Sequence, residues 1–384
     1  MVHSLCETDV FIAGGGPAGL AAAIAVRQAG YSVTVVDPAT PPIDKACGEG
    51  IMPNGRRALE ELGVGLPLSA GAPFHGIRFV EGSLVADARF RSGHGLGVRR
   101  TVLHEALIRQ AVAQGVAVHW GTRVSGLMPE GVIVNGHGIR CRWVVGADGH
   151  NSSIRQWAGL SAAGRERKRF GFRWHYPVAP WSEFVEVYWE RQGQIYVTPV
   201  DRQAVCVACI SGDPHLRLRD ALAQFPQLAK RLEGIAPITR EQGGVSVSRR
   251  MRRVYQGNRL LLGDASGSVD AITGEGLSLA FQQALALRDA LRTGSLAHYQ
   301  GAHRRIARMP RMMGSLLLTM GDLPWFRQRV LRAFSNDPSL FPGMLGMHTD
   351  DVSLQEFGLG GVAALLWNLL IASPAGASQE TVHS

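Results

Sequence analysis

The 384-residue chain has three lysines (Lys45, Lys168 and Lys230), five cysteines and 7% aromatic residues. With so little lysine, arginine sets the field behind a net charge of +9. The basic runs "RERKR" (165–169), "RRMRR" (249–253) and "HRRIARMPR" (303–311) read as solvated faces able to meet anionic lipid or an acidic cosubstrate. Zinc-finger, RNP and helix-turn-helix spacings are all missing, which excludes nucleic acid as a partner. Cysteines 6, 47, 141, 206 and 209 are scattered, and a strand begins near Asp9 where a secretory signal would lie, so a reduced, cytoplasmic protein is expected. "CVAC" (206–209) has CxxC spacing, yet as part of the strand "AVCVACI" it turns Cys206 and Cys209 to opposite faces, and no metal site is expected. No apolar run reaches the roughly 20 residues that span a bilayer. The longest, 357–372, is expected to be a buried helix closing a cavity. The alternative is an interfacial segment, helped by Trp325, Trp367 and the 303–311 arginines, that holds the protein peripherally on the inner face of a membrane. Residues 373–384 read as a disordered polar tail, and no internal repeat occurs.

What is present begins with "DVFIAGGGPAGLAAAIAVRQAGYSVTVVD" (9–37): an apolar strand, a glycine turn, an alanine-rich helix and a second strand ending in an acid. Gly14 suits the tight turn, Gly16 a close approach of backbone to a pyrophosphate, and Gly19 close packing of helix on strand. Pro17 and Ala18 complete the cofactor-contacting turn. Asp37 is placed to accept from ribose hydroxyls, which favours FAD or NAD over NADP at this site. Residues 98–124 read as helix then strand, and 139–155 as a strand running into a polar turn, both extending the same sheet. From 166 to about 250 the pattern changes to alternating aromatic-rich strands, a second, antiparallel sheet. The chain returns at 258–291 with a buried strand, a glycine-rich loop and a long helix, and is helical after about 300.

Three glycine-bearing loops in this order resemble the FAD-dependent oxidoreductases of the aromatic-hydroxylase and geranylgeranyl-reductase superfamily, over roughly residues 9–300. "GADGHNSSIR" matches its DGxxSxxR motif at Asp148, Gly149, Ser152 and Arg155, which implies FAD contact there. The resemblance makes Asp264, in "GDASGSVDAITGEG", an acceptor for the flavin ribityl chain, and sets Arg100 near the flavin phosphates. "KACGEG" (45–50) and "TGEG" (273–276) are similar to the geranylgeranyl-reductase and halogenase-like branch. They imply that Cys47, Gly48, Gly274, Glu275 and Gly276 lie along the flavin. Two departures stand against prenyl reduction: Ala271 replaces the proline before Ile272, and the substrate signature YxWxFP is reduced to "YVTP" (196–199). The halogenase WxWxIP signature is missing.

The implied fold is α/β, a Rossmann-like FAD-binding domain of glutathione-reductase type and hydroxylase-like form. Its expected segments are 1–75, 96–165 and 250–300, with a substrate-binding β-sheet domain from 76–95 and 166–249 and a helical region over 301–384. The implied activity is NAD(P)H-dependent monooxygenation of a lipophilic polyketide, phenol or isoprenoid through a flavin C4a-hydroperoxide. Reduction of prenyl or lipid double bonds is the first alternative, and flavin binding without turnover the second. In "FGFRWHY" the alternation separates Phe170, Phe172, Trp174 and Tyr176 from Arg173 and His175, leaving open which face lines the cavity. His175 and Tyr196 are the candidates for proton handling or substrate orientation, and Cys47 for a thiol beside the flavin.

Overall fold

The computed structural model describes residues 7–352 apart from 68, 161–165, 191–192 and 350, together with 356, 358, 367 and 368. The expectations for 357–372 and for the tail 373–384 fall outside the described residues, positions 358, 367 and 368 excepted.

The first sheet is built on Thr8–Ala13, whose apolar run is buried on both faces as a central parallel strand requires. It pairs in parallel with Val33–Asp37 on one side and His137–Gly146 on the other. Ala117–Trp120 and Arg259–Leu261 extend the sheet in parallel at either side. The helix Pro17–Gln28 starts at Gly16 with proline in its first turn, and its alanines 21–23 are fully buried. Small side chains there let it lie close to the long helix Gly276–Arg292.

The second sheet runs in the order Gln242–Ser248, Arg167–Tyr176, Ala204–Ser211, Gly193–Asp201, Val185–Trp189, Gly76–Glu81, Leu84–Arg89. It differs from the expected all-antiparallel sheet at one pair, since Val185–Trp189 runs parallel to Gly76–Glu81. The two strands come from segments over a hundred residues apart, so a hairpin does not constrain their direction. A third, small sheet of Gly50–Ile51, Gly95–Gly97 and Ala72–Phe74 joins the two.

Each face of the second sheet has its own cover. Helices Leu218–Leu222 and Pro226–Leu232 pack on the face that carries Tyr176, Tyr188, Val207 and Cys209, with Phe172 and Trp174 beside them. The opposite face, with Val187, Tyr196 and Cys206, packs on helices Arg308–Asp322, Pro324–Asn336 and Leu340–His348. Cys206 and Cys209 thus lie on opposite faces, and Arg173 and His175 turn away from the aromatic face. Among the described residues no helix is long and apolar enough to cross a membrane. Trp325 and Trp367 are both exposed.

Candidate active site

A single cavity of ≈ 910 Å³ runs from the carboxyl ends of the first sheet to the space between the second sheet and the C-terminal helices. Its first half is lined by Gly14, Gly16, Pro17, Ala18, Asp37, Arg100, Asp148 and Asp264, with Cys47, Gly48, Gly274 and Gly276 farther along. These residues come from strand ends and helix starts, the usual ligand position of an open α/β sheet. Gly14 has φ 111°, and a Cβ there would stand 2.3 Å from the Ala147 carbonyl oxygen. Gly19 lies behind the wall, where a Cβ would stand 1.8 Å from the Gly14 oxygen, so its role is packing. Asp37 uses Oδ2 to accept from Gly15 N (2.7 Å) and Oδ1 from Ala39 N (2.8 Å), so it holds the turn while facing the cavity.

This half fits a dinucleotide. A Cβ at Gly16, Gly48, Gly149 or Gly276 would meet nothing within 4 Å, which leaves room for a ligand against bare backbone. Asp148 accepts from Ser153 N and Ile154 N through Oδ2, while its Oδ1 is buried without a partner. Arg100 Nε is likewise buried and unsatisfied. A buried acceptor and a buried cationic donor on the wall of one cavity suit a molecule carrying both hydroxyls and phosphates.

The loop 44–49 forms the middle of the wall, and a buried charged network holds it. Glu49 is 1% exposed and adopts φ 60°, the left-handed region that a non-glycine residue occupies at a cost. Its Oε2 meets His175 Nε2 at 2.6 Å, and its Oε1 accepts from Arg100 N at 2.9 Å. Arg173, fully buried, donates to Asp44 Oδ1 at 2.5 Å and lies 3.0 Å from His175 Nδ1. Cys47 Sγ accepts from Glu49 N at 3.3 Å. Burial pushes the Cys47 thiol pKa up against the pull of Arg100, so the thiol keeps its proton near neutral pH.

His175 therefore stands behind Glu49, outside the cavity lining. Glu49, which the sequence reading passed over, is the member of the pair that reaches the wall. Glu49, His175 and Cys206 also bring three ligand-type atoms within 4.8 Å of one another. The Arg173 guanidinium, 3.0 Å from His175 Nδ1 and 3.9 Å from Glu49 Oε1, supplies positive charge to the buried carboxylate, so the cluster reads as a brace.

The far half of the cavity is apolar. Helix Leu340–His348 lines it with Phe341, Met344, Leu345 and His348, one face at helical spacing, and helix Arg308–Asp322 adds Met313, Leu317 and Met320. Tyr196 reaches this wall, and its hydroxyl donates to the Ile272 carbonyl at 2.8 Å, pinning the loop that leads to Gly274. Glu275 does not line the cavity: it is fully buried behind it, with Oε1 3.2 Å from His348 Nε2. No motif points to His348, because it follows Glu275 by more than seventy residues in an unremarkable apolar helix.

Burial lowers the pKa of both His348 and His303 to about 4, from the usual 6.5. Between those values the unfolded chain binds protons that the folded protein excludes. Their contribution to stability is therefore complete above pH 6.5 and is lost as pH falls toward 4, with a slope of up to about 2.7 kcal/mol per pH unit. Urea unfolding at pH 7.0, 6.0 and 5.0 checks this. The His303→Gln variant is expected to show about half the slope.

The family described as "FAD binding domain" matches residues 7–294. The chain is 25% identical over 339 residues to a menaquinone reductase from Mycolicibacterium smegmatis, covering 77% of this chain and 79% of that protein. It is 28% identical over 321 residues to a 6-methylpretetramide 4-monooxygenase from Streptomyces rimosus, covering 75% and 76%. A geranylgeranyl bacteriochlorophyll reductase-like protein from Thermoplasma acidophilum has a similar fold, with TM-score 0.71 and 19% identity over 96% of this chain and 97% of that one.

Proposed function

Because the chain belongs to the FAD binding domain family and is an FAD-dependent oxidoreductase of the hydroxylase and geranylgeranyl-reductase superfamily, we propose that it is an NAD(P)H-dependent monooxygenase that hydroxylates a lipophilic small molecule. One observation supports this reading: the residues of the dinucleotide-fitting half and those of the apolar half line one continuous cavity. A hydrocarbon-rich substrate held there is dry and adjacent to the cofactor.

The turn 14–18 and Asp37 would hold the adenosine and pyrophosphate end, with backbone amides at the start of helix Pro17–Gln28 facing the phosphates. Arg100, Asp148 and Asp264 would meet the phosphates and ribityl hydroxyls. Bound FAD supplies two-electron transfer and the activation of oxygen. The N-terminus of helix Gly276–Arg292 would favour negative charge on the reduced ring. Tyr196 acts through its bond to the Ile272 carbonyl as a positioning residue for the 273–276 loop. His175 acts through Glu49 to fix the 44–49 loop. Phe341, Met344 and Leu345 exclude water and take the substrate tail.

Cys47 favours a second reading, double-bond reduction. It is a protonated thiol on the cavity wall, suited to protonate carbon next to a site of hydride addition. Anaerobic mixing with NADPH followed by admission of oxygen separates the readings. Monooxygenation requires flavin reduction, then oxygen uptake with a hydroxylated product. Reduction requires a saturated product before oxygen is admitted. A flavin that NADPH and NADH leave oxidised contradicts both.

A further inference from the structure

The three basic runs, far apart in the sequence, meet around helix Arg308–Asp322. Arg304, on helix Leu296–Ile306, donates to the Arg252 carbonyl at 3.1 Å, which joins the run 303–311 to the run 249–253. The run 165–169 is tied in at two points, Glu166 to Arg249 at 2.5 Å and Arg167 to Asp322 at 2.7 Å, and these pairs use up both acids. Arg250, Arg252, Arg253, Arg304, Arg305 and Arg308 are all exposed, and none has an ion-pair partner among the described residues. On helix Arg308–Asp322 the exposed stripe continues at helical spacing through Met312, Ser315 and Thr319, while Met313, Leu317 and Met320 on its other side line the cavity. The stripe ends at Leu323 and Trp325, which are 39% and 60% exposed, and Met312 within it is 48% exposed. We infer that this face docks on an anionic membrane surface, its arginines meeting lipid phosphates while Met312, Leu323 and Trp325 enter the layer below the headgroups.

Charge alone would suit any polyanion. The apolar residues on the same stripe select a lipid surface, where a tryptophan ring settles at headgroup level and guanidinium groups stay with the phosphates above it. The helix has 15 residues and so runs about 22 Å, which sets the arginine cluster at one end and Trp325 just past the other. Arg329, 5.9 Å from the Trp325 ring, adds a cation at that far end, so both ends of the stripe can rest on one flat anionic surface. No helix among the described residues is long and apolar enough to cross a bilayer, and the attachment is peripheral. The helix that faces the lipid on one side walls the apolar half of the cavity on the other, which gives a lipophilic molecule a short path between them. The inference rests on the proposed lipophilic substrate for that purpose only, not for the docking itself.

Co-sedimentation of the FAD-loaded full chain with vesicles tests the docking without turnover. The wild type is expected to sediment with vesicles of phosphatidylcholine and phosphatidylglycerol, to be released by high salt, and to stay in solution with phosphatidylcholine alone. Each basic residue at such a surface strengthens binding about fivefold, so the double variant Arg305→Glu/Arg308→Glu is expected to bind at least about twentyfold more weakly. Trp325→Ser is expected to weaken binding at least about threefold and to abolish a blue shift of tryptophan emission that the wild type shows with the anionic vesicles. All three positions are exposed, and urea unfolding of the variants should match the wild type. Failure of the wild type to bind the anionic vesicles overturns the inference, as does equal binding to neutral ones or binding that survives both variants. Capture of duplex DNA without capture of vesicles assigns the patch to another polyanion and overturns it too. A protein that docks as expected yet yields no oxygenated product keeps the docking surface and refutes the monooxygenase reading.

Discussion

Gly16→Val is expected to give a folded protein that purifies without flavin. Gly16 has φ −71° and ψ 178°, values open to any residue, and a Cβ there meets no protein atom within 4 Å. Thermal unfolding of the variant should therefore match that of the stripped wild type. What the side chain fills is the approach to the amides at the start of helix Pro17–Gln28. Hydrogen bonds to charged oxygens contribute about 1.5–3 kcal/mol each, so losing two weakens FAD by about a hundredfold or more. Gly14→Ala fails differently. At φ 111° and with its Cβ 2.3 Å from the Ala147 oxygen, it strains the central turn itself and lowers the stability of the stripped protein. The pair is read by flavin absorbance per protein and by urea unfolding. A yellow Gly16→Val protein would contradict the assignment of this turn to the cofactor.

Arg173→Met is expected to cost about 3–5 kcal/mol of stability, since it removes one partner from a buried charged network. Glu49, at 1% exposure, would lose the guanidinium 3.9 Å away, and Asp44 its 2.5 Å partner. Glu49→Gln alone leaves Arg173 with Asp44 and costs less. The double variant should recover part of the loss, because the uncompensated carboxylate is gone, and urea unfolding of the four proteins in a double-mutant cycle reads the coupling directly. Additive losses would contradict the brace and leave the left-handed backbone at Glu49 without its support.

These two effects also mark what was legible in the sequence. The turn at Gly14 to Gly19 joins a strand and a helix that are neighbours in the chain, so its chemistry is local and its spacing is diagnostic. Alternation along 170–176 separated aromatic from polar residues correctly. The choice of face depended on helices Leu218–Leu222 and Pro226–Leu232, which cover Tyr176, Phe172 and Trp174 and so turn Arg173 and His175 toward the 44–49 loop. Glu49 and His348 stayed hidden for the same physical reason. Glu49 meets its partner 126 residues away, and His348 meets Glu275 only when the last helices fold back on the start of the long one. Glu275 carries a cofactor-like motif position yet turns from the cavity to brace a histidine. The parallel pair between 76–81 and 185–189 is equally a product of tertiary return, invisible to local pattern.

The most direct test of the account is turnover of the FAD-loaded protein with NADPH, a long-chain phenol and ¹⁸O₂, read by product mass. Monooxygenation predicts a product bearing one ¹⁸O atom, formed with matching consumption of oxygen and NADPH. A product that gains only hydrogen, with no ¹⁸O and no oxygen uptake, would contradict monooxygenation and return the chain to the reductases.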